Sequence, residues 1–394
     1  QIASLDTKLS GQLGLSAMQA RAIEATTQKE MIQKDIELLA STVQKASKKR
    51  RAELEEEIRR LRALLATRFN EEARALSEVK QKRTGWPLRH FGNVIAVATS
   101  RSRGLVATSS QPNGLYPGAV TIWNQDGTFL SEFFLPRKEN EKTDANALAF
   151  SPDGMQLAAA CADGELRLYR ATADGSWRIE RDGADLRPRP ALQAVVFDPT
   201  GRYVASGGRD KQITVRSLAD NKVRSLAAAS EVEQLVFSPG GRLLAAAGPA
   251  PRVQIWDVSS DKPTPRGFDV AGNAACLSFP DPKTSELVAV SYTGGWEIRD
   301  AATGGSLGSG RIGEGRCLAV SKAKGSLLFA ATDSNSNIPF YSAKSGTTPI
   351  HTEQLQRRPR ASNAAVFSPD GQLLLAALDG YEVIQVHTRS VTPP

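Results

Sequence analysis

The chain has 394 residues, 40% of them hydrophobic and 23% charged, with a net charge of +8. That apolar share supports folded cores rather than an extended disordered polymer. No run of 18 apolar residues occurs, which argues against a membrane-spanning helix, and three cysteines cannot build a disulfide framework.

The first 84 residues differ from the rest. Between Leu15 and Thr84 there is neither Gly nor Pro, and Ala, Glu, Lys, Arg, Gln and Leu dominate, a helix-forming composition. Ile32, Ile36, Leu39 and Val43 step by four, three and four, and so do Leu54, Ile58, Leu61 and Leu65. Such narrow stripes suit a coiled-coil seam, with Glu55–Arg59 and Glu56–Arg60 as outer-face pairs. A continuous helix of about 70 residues would span about 105 Å. The alternative is a helical hairpin bending over residues 41–47, its two stripes zipped together. Both stay open, and residues 1–84 are assigned as one helical arm that docks or self-associates through 15–84.

After Gly85 the pattern changes to a repeat. Ala149-Phe150-Ser151-Pro152-Asp153-Gly154 returns at Val196-Phe197-Asp198-Pro199-Thr200-Gly201, Val236-Phe237-Ser238-Pro239-Gly240-Gly241 and Val366-Phe367-Ser368-Pro369-Asp370-Gly371. Each copy is an apolar run, a tight turn, a second apolar run, a polar turn and a third run. The end of the first run falls at Val97, Phe150, Phe197, Phe237, Phe279, Val320 and Phe367, about 40 to 53 residues apart, the size of a four-stranded propeller blade with insertions. Two residues earlier stand Ile95, Leu148, Val195, Leu235, Leu277, Leu318 and Ala365, all apolar. Four residues earlier stand Asn93, Asn146, Gln193, Glu233, Ala275, Arg316 and Asn363, six of them polar. Side chains two apart share a strand face, so each first strand is expected to run from a polar rim into a dry core. Trp123, Tyr169, Arg216, Trp256, Arg299, Tyr341 and His387 form a column on the third strands. The seventh unit ends after three strands, and residues 86–92 fit nowhere else in the repeat. They are assigned as the strand that closes the last blade, because an open edge exposes unsatisfied backbone.

With Trp256-Asp257 and the near copy Trp123-Asn124, residues 86–394 resemble the WD-repeat β-propeller family. The resemblance implies an all-β, seven-bladed β-propeller over 85–394, preceded here by the long α-helical segment. It also implies a protein-assembly platform. The Gly-His pair that usually precedes the first strand is absent, so the family's Asp-His-Ser/Thr-Trp hydrogen-bond network is not carried over.

Catalytic chemistry finds little support. His90, His351 and His387 are scattered, and no Ser-His-Asp set or HExxH motif occurs. The glycine-rich stretch 304–315 lacks the Lys and Ser/Thr of a phosphate loop and reads as the outer strand of blade five. Asp153, Asp163, Asp210, Asp333 and Asp379 read as turn residues. No catalytic residue, metal site or cofactor is assigned. Cys161, Cys276 and Cys317 sit singly in predicted strands and read as buried thiols in a reducing, cytoplasmic setting. The start at Gln1 reads as a processed or truncated product and leaves open a removed secretory signal.

Charge points to a surface instead. Besides the run Lys48-Lys49-Arg50-Arg51, Arg187, Arg189, Arg357, Arg358 and Arg360 lie just before first strands. In a propeller those connections share a face with the loops between second and third strands, hence with Arg209, Arg252 and Arg316. The expected partner-binding rim is therefore Asn93, Asn146, Arg187, Arg189, Gln193, Arg209, Glu233, Arg316, Arg357, Arg358, Arg360 and Asn363. No aromatic interleaving favours nucleic acid, which stays as the lesser alternative, and a protein, one with an acidic surface among the options, is the expected partner. The reading is a non-catalytic scaffold or adaptor. The alternatives are a sensor or regulatory part of a larger, bacterial-looking enzyme complex, and a ring enzyme or small-molecule binder using the central channel.

Overall fold

The computed structural model divides into two compact units, Gln1–Thr84 and Gly85–Pro394. It describes residues 32, 34–38, 40, 42 and 53–61 of the first. In the second it describes 88–90, 92–100, 102–112, 118–135, 144–180, 190–260, 262–270, 272–281, 283, 284, 286–291, 295–312, 316–323, 326–332, 337–345, 347–353, 364–368, 373–377 and 382–387.

The described residues of the first unit are helical. Ile32, Leu54 and Ile58 are buried and Ile36 and Leu61 half-buried, while the described charged residues between them are exposed. Glu56 reaches both Arg59, at 2.8 Å, and Arg60, at 3.7 Å. The expected Glu55–Arg59 pair gives way to the one three residues apart. The run 48–51 and most of the 41–47 bend lie outside the described residues.

The second unit is seven four-stranded antiparallel sheets. Blade two shows the pattern: Ala145–Phe150, Gln156–Cys161, Leu166–Ala171 and Trp177–Glu180, each paired to the next. The first strands of the other blades are Val94–Ser100, Leu192–Phe197, Gln234–Phe237, Ala274–Ser278, Arg316–Ala323 and Ala364–Phe367. Each first strand touches the first strands of both neighbouring blades, and the last touches the first, so the seven ring one axis. In the seventh sheet the fourth strand is Leu88–Arg89, with Leu88 opposite Val383 and Arg89 opposite Glu382.

Composition follows this wedge shape. Blades converge towards the axis, so their second strands are covered on both faces and made of small residues. Leu243–Ala247 and Leu105–Ser110 are buried throughout. Further out, where blades diverge, the third-strand column supplies bulk. Trp123, Tyr169 and Trp256 are fully buried against the preceding blade. In the same column Arg299 lies 5.1 Å from the Phe268 ring and binds Glu297 at 2.9 Å.

The repeated Ser/Asp closes the first hairpin. Ser151, Ser238 and Ser368 accept the backbone N–H of Gln156, Leu243 and Leu373 at 2.8, 3.0 and 2.9 Å. Asp198 accepts those of Thr200 and Arg202 at 3.0 and 3.2 Å. Ser306–Arg311, inside the glycine-rich stretch, is the outer strand of blade five.

Two column assignments need correction. In blade one the residue opposite Val106, the partner of Trp123, is Thr99 rather than Val97. The strand there runs on to Ser100, past the apolar residue taken as its end. In blade seven Phe367 pairs with Leu374, whose third-strand partner is Val386, so His387 stands one residue beyond the column.

Candidate partner-binding face

One face of the ring is built by a recurring backbone bond. Gln111 N–H donates to Asn93 C=O at 2.9 Å, Ala162 to Asp144 at 2.7 Å, Arg209 to Ala191 at 3.1 Å and Glu233 to the Ala247 carbonyl at 2.9 Å. Each ties the residue leading into a first strand to the connection between second and third strands. Asn93, Asn146, Gln193, Arg209 and Glu233 therefore share a face.

Bulges set the residues that follow. In five first strands the pairing skips one residue, at Ile95, Asn146, Gln193, Ala275 and Leu318. A bulge leaves its residue outside the ladder and re-aims the side chain. Asn146 uses this freedom to donate Nδ2–H to the Leu192 carbonyl at 2.7 Å, bridging blades two and three. Gln193 is half-buried, and its Oε1 meets no donor among the described residues. Asn93 corresponds to neither. It precedes its strand by one residue, two ahead of the bulge at Ile95, so the rim column is out of register in blade one.

The charges on this face are mostly engaged. Asp163 and Arg167 form a two-pronged pair at 3.0 and 2.6 Å, with the Asp163 side chain 1% and the Arg167 side chain 11% exposed, and Glu165 adds a contact at 2.8 Å. Asp163 also accepts the Glu165 N–H at 3.2 Å, the turn role expected of it. Cys161 is fully buried beside this group, and burial pushes its thiol up to about 12, which keeps it protonated and unreactive. Arg252 binds Asp269 at 2.8 Å, whereas Arg209 is exposed. Arg187, Arg189, Arg357, Arg358, Arg360 and Asn363 lie outside the described residues. Arg316 opens the first strand of blade six.

Sequence reasoning missed the Asp163–Arg167 pair, although its four-residue spacing from the turn into the third strand was visible. It also missed a Trp-Thr bond: Trp123 Nε1–H donates to Thr108 Oγ1 at 3.0 Å, with buried His90 edge-on to the indole at 5.5 Å. The Trp–Thr part of the network set aside for want of a Gly-His pair is thus present in blade one, where His90 meets the indole by ring contact. Among the described residues no group of three His, Cys, Asp or Glu side chains is placed to hold a metal. No helix among them is long and apolar enough to cross a membrane.

Comparison with known proteins agrees with this architecture. The family described as WD domain, G-beta repeat matches residues 138–170 and 190–217, which cover the first three strands of blades two and three except Ala171 at the end of the former. Propellers of this class generally serve as protein-interaction scaffolds and are typically non-enzymatic. Periodic tryptophan protein 2 of Arabidopsis thaliana is 29% identical over 201 residues, 49% of this chain and 21% of that protein. Meiotic recombination protein rec14 of Schizosaccharomyces pombe is 24% identical over 173 residues, 43% of this chain and 53% of that one. The chain thus covers about half or less of the length of these relatives. A chain in the crystal structure of a mitotic checkpoint complex superposes with a TM-score of 0.61 at 18% identity, over 77% of this chain and 92% of that one, a likeness of fold.

Proposed function

We propose that the chain is a scaffold or adaptor that binds protein partners through the face carrying Asn93, Asn146, Gln193, Arg209 and Glu233. In this reading Arg187, Arg189, Arg316, Arg357, Arg358, Arg360 and Asn363 extend the same rim, because their place in the repeat is the connection into, or the start of, a first strand. The observation that supports it is the set of backbone bonds joining the connections into the first strands of blades one to four to the second-to-third-strand loops, which puts these polar residues at the same end of their blades. The chemistry asks for a hydrophilic partner with acidic groups: guanidiniums for carboxylates, amides for backbone groups.

The arm supplies self-association or docking. Its stripe residues Leu54 and Ile58 are 3% and 8% exposed, which supports an apolar seam in either arrangement, hairpin or coil.

The test is capture of partners by the full chain and by a variant with Arg187, Arg189, Arg357, Arg358 and Arg360 all changed to Glu. Loss of partners with an unchanged melting curve is the expected result; undiminished capture removes the rim from the mechanism. Light scattering on the full chain addresses the arm, where a mass of 42.3 kDa would leave no self-association to explain.

A further inference from the structure

The opposite face of the ring is built from the turns that join first to second and third to fourth strands. At the junction of blades three and four it gathers an unusual set of side chains. Tyr203 opens the strand Tyr203–Gly208, and two guanidinium carbons lie over its ring, that of Arg202 at 5.6 Å and that of Arg224 at 5.9 Å from the centroid.

The two arginines are held differently. Arg202 spends its Nε on Thr200 Oγ1, at 2.7 Å, and lies 3.5 Å from the buried carboxylate of Asp198. Its terminal nitrogens make no hydrogen bond among the described residues. Arg224 comes from the outer strand Val223–Ala227 and crosses to blade four, donating Nη1–H to the Ser260 carbonyl at 3.0 Å. No carboxylate among the described residues pairs with it. A guanidinium carries five N–H donors, so most of those on Arg224 stay unspent.

The surroundings set the charge of a ligand. Lys222 binds Asp220 at 2.9 Å, and Arg242 binds Asp257 at 2.7 Å, so both flanking cations are already balanced. What remains among the described residues is the charge of Arg224, which no carboxylate there pairs, the outward edge of Arg202 and a half-buried tyrosine whose hydroxyl makes no hydrogen bond. The ring and the Arg202–Asp198 anchor fix this geometry before any ligand arrives.

We propose that Arg202, Tyr203 and Arg224 form a second docking site, on the face opposite the rim, that grips a carboxylate of an acidic peptide segment in a protein partner. The guanidinium edges donate to the carboxylate oxygens, and the tyrosine hydroxyl donates to whichever lone pair is left. A nucleic-acid backbone suits the site less well. The tyrosine face is occupied by guanidinium rather than open to a base, so the stacking that holds single-stranded nucleic acid is not on offer. This site is separate from the rim, and either can hold without the other.

The experiment is fluorescence anisotropy of a labelled hexaglutamate peptide with the full chain at low salt, alongside an oligothymidylate of similar charge. R224Q is expected to weaken peptide binding about tenfold or more, the worth of one or two charge-assisted hydrogen bonds. R224K keeps the charge and loses the planar fork, and a several-fold loss is expected. R178E, on the outer strand Trp177–Glu180 of blade two and in neither site, should leave the affinity within about twofold, and R209E reports on the rim separately. Melting curves check that the variants stay folded, and Arg224 gives up only its bond to the Ser260 carbonyl. The proposal is overturned if hexaglutamate does not bind, if R224Q and R224K bind it as the unaltered chain does, or if the oligothymidylate binds more tightly than the peptide. Loss of binding in R209E with R224Q unaffected would assign acidic peptides to the rim alone.

Discussion

Trp123 donates its indole N–H to Thr108 at 3.0 Å, two side chains with no exposure to solvent, and so ties the third strand of blade one to the second. Burial raises the stakes of such a bond, because an indole N–H stripped of its acceptor cannot turn to water. Thr108→Val keeps the shape and removes the acceptor, and is expected to cost about 1–3 kcal/mol. Thr108→Ser keeps the hydroxyl and loses one methyl, for about 1 kcal/mol. Urea unfolding of the two variants side by side separates the effects, and equal losses would mean that the hydrogen bond contributes nothing.

A second relationship joins neighbouring blades. The turn glycine Gly241 has φ of +68° in blade four, and a Cβ added there would overlap the Asp198 carboxylate of blade three. Gly201 has φ of +75° with open space where its Cβ would point. Gly201→Ala should therefore cost only the left-handed backbone penalty, about 1–2 kcal/mol. Gly241→Ala adds displacement of the carboxylate that closes the preceding hairpin, and its melting temperature should fall clearly below that of Gly201→Ala. Equal melting temperatures would show that the turns of adjacent blades do not constrain each other.

These cases show what was legible in the sequence. Four blades repeat a Ser/Asp-Pro-x-Gly turn whose first side chain closes a hairpin, a local signal written within six residues, and the alternating first strands extend the count to seven. The inner faces were legible too, since alternation fixes which residues share a side. What escaped depends on pairing between strands. Thr99, not Val97, stands across from Val106 because the first strand of blade one runs past its last apolar residue, and one unpaired residue in a bulge re-aims Asn146 and Gln193. Tyr203 and Arg224 are 21 positions apart and share a surface only because the one strand between theirs, Gln212–Ser217, brings them together, so no spacing rule would single them out.

Leu88 offers a test of how the ring is closed. It is wholly buried, packs with Val94, Trp123, Leu375 and Val383 between blades seven and one, and belongs to a strand of only two residues. Leu88→Ala removes three carbons from a site with little room to collapse and should cost about 2–5 kcal/mol. Because the strand is so short, that loss should also loosen the last blade, seen as faster amide exchange at Val383 and its neighbours than in the blades opposite. Unchanged exchange there would mean that the backbone pairing holds the junction without the side chain.

Asp257, the acidic half of the one complete Trp-Asp pair, carries the last prediction. Hydrogen bonds from Arg242 and then Ser259 hold its carboxyl down to about 2, against the opposing effect of burial. A carboxyl depressed in the folded state stabilises that state above its unfolded value, about 3.9, and the contribution is lost as the pH falls towards 2. The unfolded chain binds the proton first, so acid pulls the equilibrium towards unfolding within that window. Asp174 and Asp220 are also held at about 2 by turn hydrogen bonds, so Asp257→Asn should flatten only part of the acid limb between about pH 4 and 2. Arg242→Gln leaves the carboxyl in place and removes the leading cause of its depression. It should shift the acid transition in the same direction, and the shift should shrink in high salt because the Arg242 side chain is 71% exposed. If Asp257→Asn unfolds in acid along the same curve as the unaltered chain, this carboxylate is not set by Arg242 in solution, and the dipeptide's role in this ring rests on the buried Trp256 alone.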